Sequence, residues 1–127
     1  MAYTDIVTAL ALLQFVWFSM QVAKARGKYQ VEAPAVSGNE IFERYFRVHM
    51  NTLEQLIVFI PSIVLFGRYI EPRIAAALGI VFLIGRALYF RSYVSDPKKR
   101  SLGFGLTFLP NAILLVGAVI GAALALR

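Results

Sequence analysis

The fold is decided by the stretch RVHMNTLEQLIVFIPSIVLF, residues 47–66. Its second half is uncharged and mostly apolar, which is typical of the body of a membrane helix. Its first half places Arg47, Asn51 and Glu54 at i, i+4 and i+7, so a helix carries all three on one face. Ionisable groups at the edge of a hydrocarbon layer are costly and are usually functional or paired. A cation, an amide and a carboxylate in a row therefore predict a receptor for a zwitterionic polar molecule at a membrane surface.

The composition indicates a membrane protein. Of the 127 residues, 59% are hydrophobic, more than a soluble domain of this size needs. Residues 1–127 accommodate a single domain with four spans of roughly 20 residues each. The absence of cysteine excludes disulfides, thiolate metal ligands and a protein thiol nucleophile. With a single histidine no metal site is predicted, and the net charge of +6 is interpreted as membrane topology, without nucleic acid as a partner.

Four apolar runs predict an all-α, integral membrane four-helix bundle. They are long and lack two-residue alternation, and lipid requires such runs to form helices. The predicted spans cover about residues 3–25, 46–69, 73–93 and 102–126. We expect the first to be retained and not cleaved as a signal peptide. It begins with an acid, Asp5, and its uncharged run over residues 6–23 is longer than a typical signal core.

The basic residues predict an orientation in the membrane. Nine of the thirteen lysines and arginines flank the loops at about residues 26–45 and 94–100. The positive-inside rule places these two loops in the cytoplasm and both termini on the opposite side. For four of these residues, a role in membrane topology alone is the alternative to a functional role: Lys24, Lys28, Lys98 and Lys99.

A second polar face is predicted on the third span. Arg86, Tyr89 and Tyr93 repeat at i, i+3 and i+7. The tight link at residues 70–72 makes the second and third spans antiparallel neighbours, and a rise of about 1.5 Å per residue puts Glu54 and Arg86 at similar depth. We therefore predict that Glu54 and Arg86 pair or share one polar ligand, with a purely structural ion pair as the alternative.

Two stretches resemble the MAPEG family, the membrane-associated proteins in eicosanoid and glutathione metabolism. The first is F-E-R-x-x-R-x-x-x-N-x-x-E at residues 42–54, where the second span starts. The second is GRALYFRSY at residues 85–93, followed by DPKKR at residues 96–100. The resemblance extends over nearly the whole chain. It implies a homotrimer of four-helix subunits that binds glutathione at each subunit interface, on the cytoplasmic side.

The resemblance also implies roles for individual residues. Arg100 would be catalytic by stabilising the glutathione thiolate, Glu54 would hold the ammonium group and Arg47 a carboxylate. Arg26 would reach the ligand from the adjacent subunit. Gln55 stands where the leukotriene-forming members have a tyrosine, which bears on eicosanoid specificity and leaves glutathione contacts in place. The remaining predicted glutathione-binding residues are His49, Asn51, Arg86, Tyr89 and Tyr93.

The function implied is that of a detoxifying membrane glutathione transferase. Glutathione would be the co-substrate, and a lipophilic electrophile or a lipid hydroperoxide the second substrate, with conjugation, peroxidase and isomerase chemistry left open. The alternative is a non-enzymatic lipid-binding scaffold, as in one branch of the family, and Arg100 favours the enzyme. A small multidrug exporter is less favoured, because the first span holds no acid beyond Asp5.

Overall fold

The computed structural model describes residues 1–127 as four long helices with short connections. The helices are α1 (Ala2–Tyr29), α2 (Glu40–Tyr69), α3 (Pro72–Ser95) and α4 (Ser101–Leu124), with a 3-10 turn at Pro97–Lys99 before α4. All four are long and apolar enough to cross a membrane. The prediction of an all-helical protein with four candidate spans is confirmed.

Local capping signals set where the helices begin. The Asn39 side chain accepts hydrogen bonds from two backbone N–H groups in the first turn of α2, both at 2.9 Å. Glu71 caps α3 in the same way at 2.9 Å, and Pro72 occupies the first position of that helix, where its missing N–H costs nothing. Because these caps satisfy donors that a helix leaves free, α2 begins ahead of its apolar section and extends into the polar loop.

The helix pair α2–α3 lies at the centre of the bundle. Both helices contact α1 and α4, whereas α1 and α4 hardly touch each other, so they flank the pair. In the core, the rings of Phe59 on α2 and Phe82 on α3 stack with their centroids 3.9 Å apart. Large apolar side chains such as Leu13, Trp17 and Val116 remain exposed on the flanking helices. Such an exposed apolar surface is expected where a protein faces lipid.

Two glycines bring α3 and α4 into backbone contact. A Cβ atom on Gly85 of α3 would lie 2.7 Å from the carbonyl carbon of Leu106 on α4. A Cβ atom on Gly103 of α4 would overlap the backbone of Tyr89 on α3. Small residues at such crossings allow helices in membranes to approach closely. The crossing fixes the start of α4, and therefore Arg100, beside Tyr89.

Arg44 ties the start of α2 to the end of α3. Its Nη1 donates to the carbonyl oxygens of Val94 and Ser95 at 3.1 and 3.2 Å, and its Nη2 forms an ion pair with Glu40 at 3.3 Å. These two carbonyl oxygens belong to the last turn of α3, where no N–H group of the helix donates to them. We expect Arg44→Ala to lower the free energy of unfolding by about 1–2 kcal/mol, measured by thermal unfolding in detergent. Arg91→Ala, which removes an exposed cation from the same end of α3, is the control, and equal melting temperatures would contradict this role.

Candidate functional site

A polar cluster centred on Arg86 joins α2, α3 and α4. Arg86 is 0% exposed. Its Nε donates to Thr107 Oγ1 at 2.9 Å, and its Nη1 donates to Asn51 Oδ1 at 2.8 Å and to Thr52 Oγ1 at 3.1 Å. Its Cζ lies 4.3 Å from the centroid of the Tyr89 ring, within range of a cation–π interaction. The arginine expected to line a pocket is therefore buried, and it connects three helices.

Both threonine hydroxyls in this cluster already donate their protons to backbone carbonyl oxygens. Thr52 donates to the carbonyl oxygen of Val48 at 2.7 Å, and Thr107 donates to that of Gly103 at 2.8 Å. Each threonine oxygen thus offers only lone pairs to the guanidinium, which has no acceptor of its own. The Arg86 cation has no carboxylate partner, and its Nη2 is buried without a hydrogen bond.

The predicted direct pair between Glu54 and Arg86 is wrong. Glu54 is exposed, and the ion pair of the chain lies elsewhere, between Arg44 and Glu40. Helix rotation explains the difference, because successive residues advance by about 100°. Arg47 and Glu54 point outward at the edge of α2, and only Asn51 between them turns far enough inward to reach Arg86. The similar predicted depth of Glu54 and Arg86 in the membrane was therefore not enough to establish a contact between them.

An open hollow of about 510 Å³ lies where α2 and α3 meet the start of α4. Its lining combines one cation, neutral polar groups and the aromatic ring of Phe104, and contains no carboxylate. Such a lining favours an anionic group next to an apolar one. The lining residues are Asn51, Tyr89, Arg100, Ser101, Phe104 and Gly105.

A second open hollow, of about 470 Å³, lies beside the loop between α1 and α2. Its lining includes both signs of charge, with Glu40 and Glu43 opposite in sign to Arg44 and Arg47, and it includes Tyr93. Groups of both signs suit a zwitterionic ligand.

The tyrosine pair joins the two hollows. The rings of Tyr89 and Tyr93 stack with centroids 5.4 Å apart, and each lines one hollow. Arg47 lines the hollow that Tyr93 borders, and Arg100 lines the hollow that Tyr89 borders. Of the sequence-predicted residues, the structure thus brings together Arg47, Asn51, Arg86, Tyr89, Tyr93 and Arg100.

Two predicted site residues make other contacts within the chain. Arg26 Nη1 donates to the carbonyl oxygen of Ala35 at 2.6 Å, and its guanidinium lies 4.9 Å from the centroid of the Phe42 ring. Gln55 accepts hydrogen bonds from Asn111 Nδ2 at both its side-chain and backbone oxygens, at 3.3 Å. Arg26 therefore holds the loop after α1, and Gln55 links α2 to α4.

His49 lies on the other side of α2 from the Arg86 cluster. It is two positions from Asn51, which is a rotation of about 200° on a helix. Its ring stacks on Phe15 of α1 with centroids 4.6 Å apart, and both ring nitrogens are buried without a hydrogen-bond partner. Within one chain His49 is thus separate from the residues around Tyr89.

Sequence reasoning missed the two threonines that hold Arg86. Thr52 and Thr107 lie within predicted membrane spans. A threonine whose hydroxyl donates to a backbone carbonyl of its own helix is tolerated at any position of a span, so neither residue stands out in the sequence. The one available signal was that a buried arginine needs acceptors, which the hydroxyl and amide oxygens of the neighbouring helices can supply.

The amino-acid sequence is similar to those of known proteins. The model of the MAPEG family matches residues 4–120. The uncharacterized protein sll1147 of Synechocystis sp. is 47% identical over 122 residues, 96% of this chain and 89% of that protein. Human microsomal glutathione S-transferase 2 is 40% identical over 117 residues, covering 92% and 80%, and bovine leukotriene C4 synthase is 33% identical over 94 residues, covering 74% and 63%. The resemblance found at residues 42–54 and 85–100 is confirmed: this multi-pass membrane protein belongs to the MAPEG family.

Proposed function

We propose that the protein is a membrane glutathione transferase. It binds glutathione as its co-substrate, holds it as a thiolate beside Arg100 and conjugates it to a lipophilic electrophile. The observation that carries this proposal is the hollow that Arg100 shares with Asn51, Tyr89 and Phe104, which pairs a cation with an apolar wall and has no carboxylate. The relatives named glutathione S-transferase and leukotriene C4 synthase support glutathione as the ligand.

The charged groups at the edge of α2 suit the two ends of glutathione, which carries two carboxylates and one ammonium group. Arg47 lines the mixed-charge hollow, and Glu54 is exposed on the same edge of the helix. Arg47 would bind a carboxylate and Glu54 the ammonium group. This edge is uncovered in a single chain, while Arg26 and His49 lie away from it. In the homotrimer that the family resemblance implies, with a site at each interface, Arg26 would reach the ligand from the adjacent subunit.

The reaction follows from the charge of Arg100. A thiol attacks as its thiolate, and a nearby cation lowers the pKa of the thiol. Arginine is not a base near neutral pH, so the thiol proton passes to water. The sulfur electron pair then forms a bond to carbon, and the leaving group departs with its bonding pair. With a lipid hydroperoxide, two thiols are oxidised to a disulfide while the peroxide is reduced to an alcohol and water.

The bilayer supplies the second substrate in this proposal. The apolar outer faces of the helices border the hollow at Phe104, so an electrophile dissolved in lipid meets a thiolate held at the membrane surface. Placing the two reactants together lowers the entropic part of the barrier. We infer that the basic connections at residues 26–45 and 94–100 face the cytoplasm, where a water-soluble tripeptide reaches both hollows.

Binding and turnover of the purified protein test this function. We expect saturable glutathione binding by equilibrium dialysis in detergent, and conjugation of glutathione to a chlorinated dinitrobenzene in proportion to protein concentration. Light scattering is expected to give the mass of three chains. If glutathione does not bind, the transferase proposal is wrong, and the lipid-binding scaffold of the same family takes its place.

A further inference from the structure

We propose that Arg86 is a positioning residue that turns the amide NH2 group of Asn51 into the hollow beside Arg100, where Asn51 donates a hydrogen bond to an acceptor atom of the ligand. This inference rests on the proposed function, because the ligand is taken to be glutathione. It assigns Arg86 no contact with the ligand.

The orientation of the Asn51 amide follows from hydrogen-bond chemistry. Arg86 Nη1 can only donate, so the Asn51 atom at 2.8 Å from it is the carbonyl oxygen. The amide nitrogen then lies on the other side of the planar group. It makes no hydrogen bond to another part of the chain, and Asn51 is half-buried and lines the hollow. Its two N–H groups are therefore free for a ligand.

Arg86 is itself held too firmly to turn. Its Nε is bonded to Thr107 on α4, its Nη1 also to Thr52 on α2, and its face lies on Tyr89. Both threonines are tied to the backbone of their own helices. Without this fixed guanidinium, the Asn51 amide is free to rotate and to present its oxygen, which repels an anionic ligand.

The expected consequence is that the hollow beside Arg100 offers its ligand hydrogen-bond donors. Arg100 supplies a cation, Asn51 supplies N–H groups, and the hydroxyls of Ser101 and Tyr89 are able to donate. A site of this kind selects an anion or a strong acceptor.

A double-mutant cycle distinguishes positioning from a general structural role. The dissociation constant for glutathione is measured for wild type, Asn51→Ala, Arg86→Met and the double variant, all as full chains in detergent. Loss of one hydrogen bond to an anionic ligand corresponds to about a tenfold weakening, which we expect for each single variant. Because Arg86 acts through Asn51, the double variant is also expected to lose about tenfold and not about a hundredfold. Additive losses, or wild-type affinity in Arg86→Met, would overturn the inference.

Asn51→Asp provides a second test, which remains informative if Arg86→Met fails to fold. Aspartate keeps an acceptor for Arg86 and gives the buried cation a counter-charge, so its melting temperature is expected to equal or exceed that of wild type. It has no donor for the ligand, and we expect glutathione binding to weaken more than about tenfold. Wild-type affinity in Asn51→Asp would overturn the inference. Absence of binding in the wild-type protein itself would reject the proposed function, and this inference with it.

Discussion

Replacing Arg100 with alanine is expected to lower kcat/KM for glutathione conjugation by about a hundredfold to a thousandfold, the loss typical of removing one group that stabilises developing or reacting negative charge. Arg100 lines the hollow that Asn51 and Tyr89 also line, and the only hydrogen bond of its side chain within the protein is a long one of 3.4 Å to the carbonyl oxygen of Pro97. Its removal therefore takes away charge at the site and leaves the helices in place. Steady-state kinetics with glutathione varied at a fixed concentration of electrophile measure the effect.

Lys99→Ala is the matched control for Arg100→Ala. Lys99 is an exposed cation of the 3-10 turn, next to Arg100 in the chain, and it lines neither hollow. Its removal changes the net charge by the same amount, so we expect kcat/KM within about a factor of two of wild type. If both variants lose activity equally, the basic turn acts only through its overall charge, and Arg100 has no specific role.

Gly103→Ala is expected to destabilise the protein and to lower the conjugation rate together. The added Cβ overlaps the backbone of Tyr89, which cannot rotate out of the way as a side chain does. Overpacking of this kind costs about 1–3 kcal/mol, so the melting temperature in detergent is expected to fall by several degrees. Arg100 lies three residues before Gly103, and a displacement of about 1 Å at a reacting group lowers the rate by about a hundredfold.

Gly105→Ala tests whether the backbone contact is the cause. It lies on the same helix, and a Cβ there meets no heavy atom within 4 Å. Alanine is favoured over glycine in a helix by about 1 kcal/mol, so the melting temperature is expected to stay level or rise. If Gly103→Ala were as stable as Gly105→Ala, close packing of α3 against α4 would not be what positions the start of α4.

The four helices could be predicted because their causes are local, although α1 and α2 extend beyond the predicted spans, to Tyr29 and from Glu40. Long uncharged runs dictate helices in lipid, and Asn39 and Glu71 cap α2 and α3 through backbone groups two or three residues away. The common face of Arg47, Asn51 and Glu54 also follows from spacing alone.

The contacts between helices could not be predicted because spacing leaves the rotation of each helix open. A modest rotation of α2 decides whether Glu54 or Asn51 faces α3, and the structure selects Asn51. The hydrogen bonds from Arg86 to Thr52 and Thr107 could not be predicted for the same reason. The subunit interface and the orientation in the membrane rest on the family and on charge, and both stay predictions.

The most direct test of thiolate stabilisation is the ultraviolet absorbance of the glutathione thiolate bound to the wild-type protein, titrated with pH. A free cysteine thiol ionises with a pKa of about 8.5. We expect the bound thiol to ionise well below that pH, so that thiolate is present at neutral pH, and Arg100→Ala to move the midpoint upward again. Glutathione that binds to the wild-type protein yet ionises like the free thiol would contradict the role assigned to Arg100.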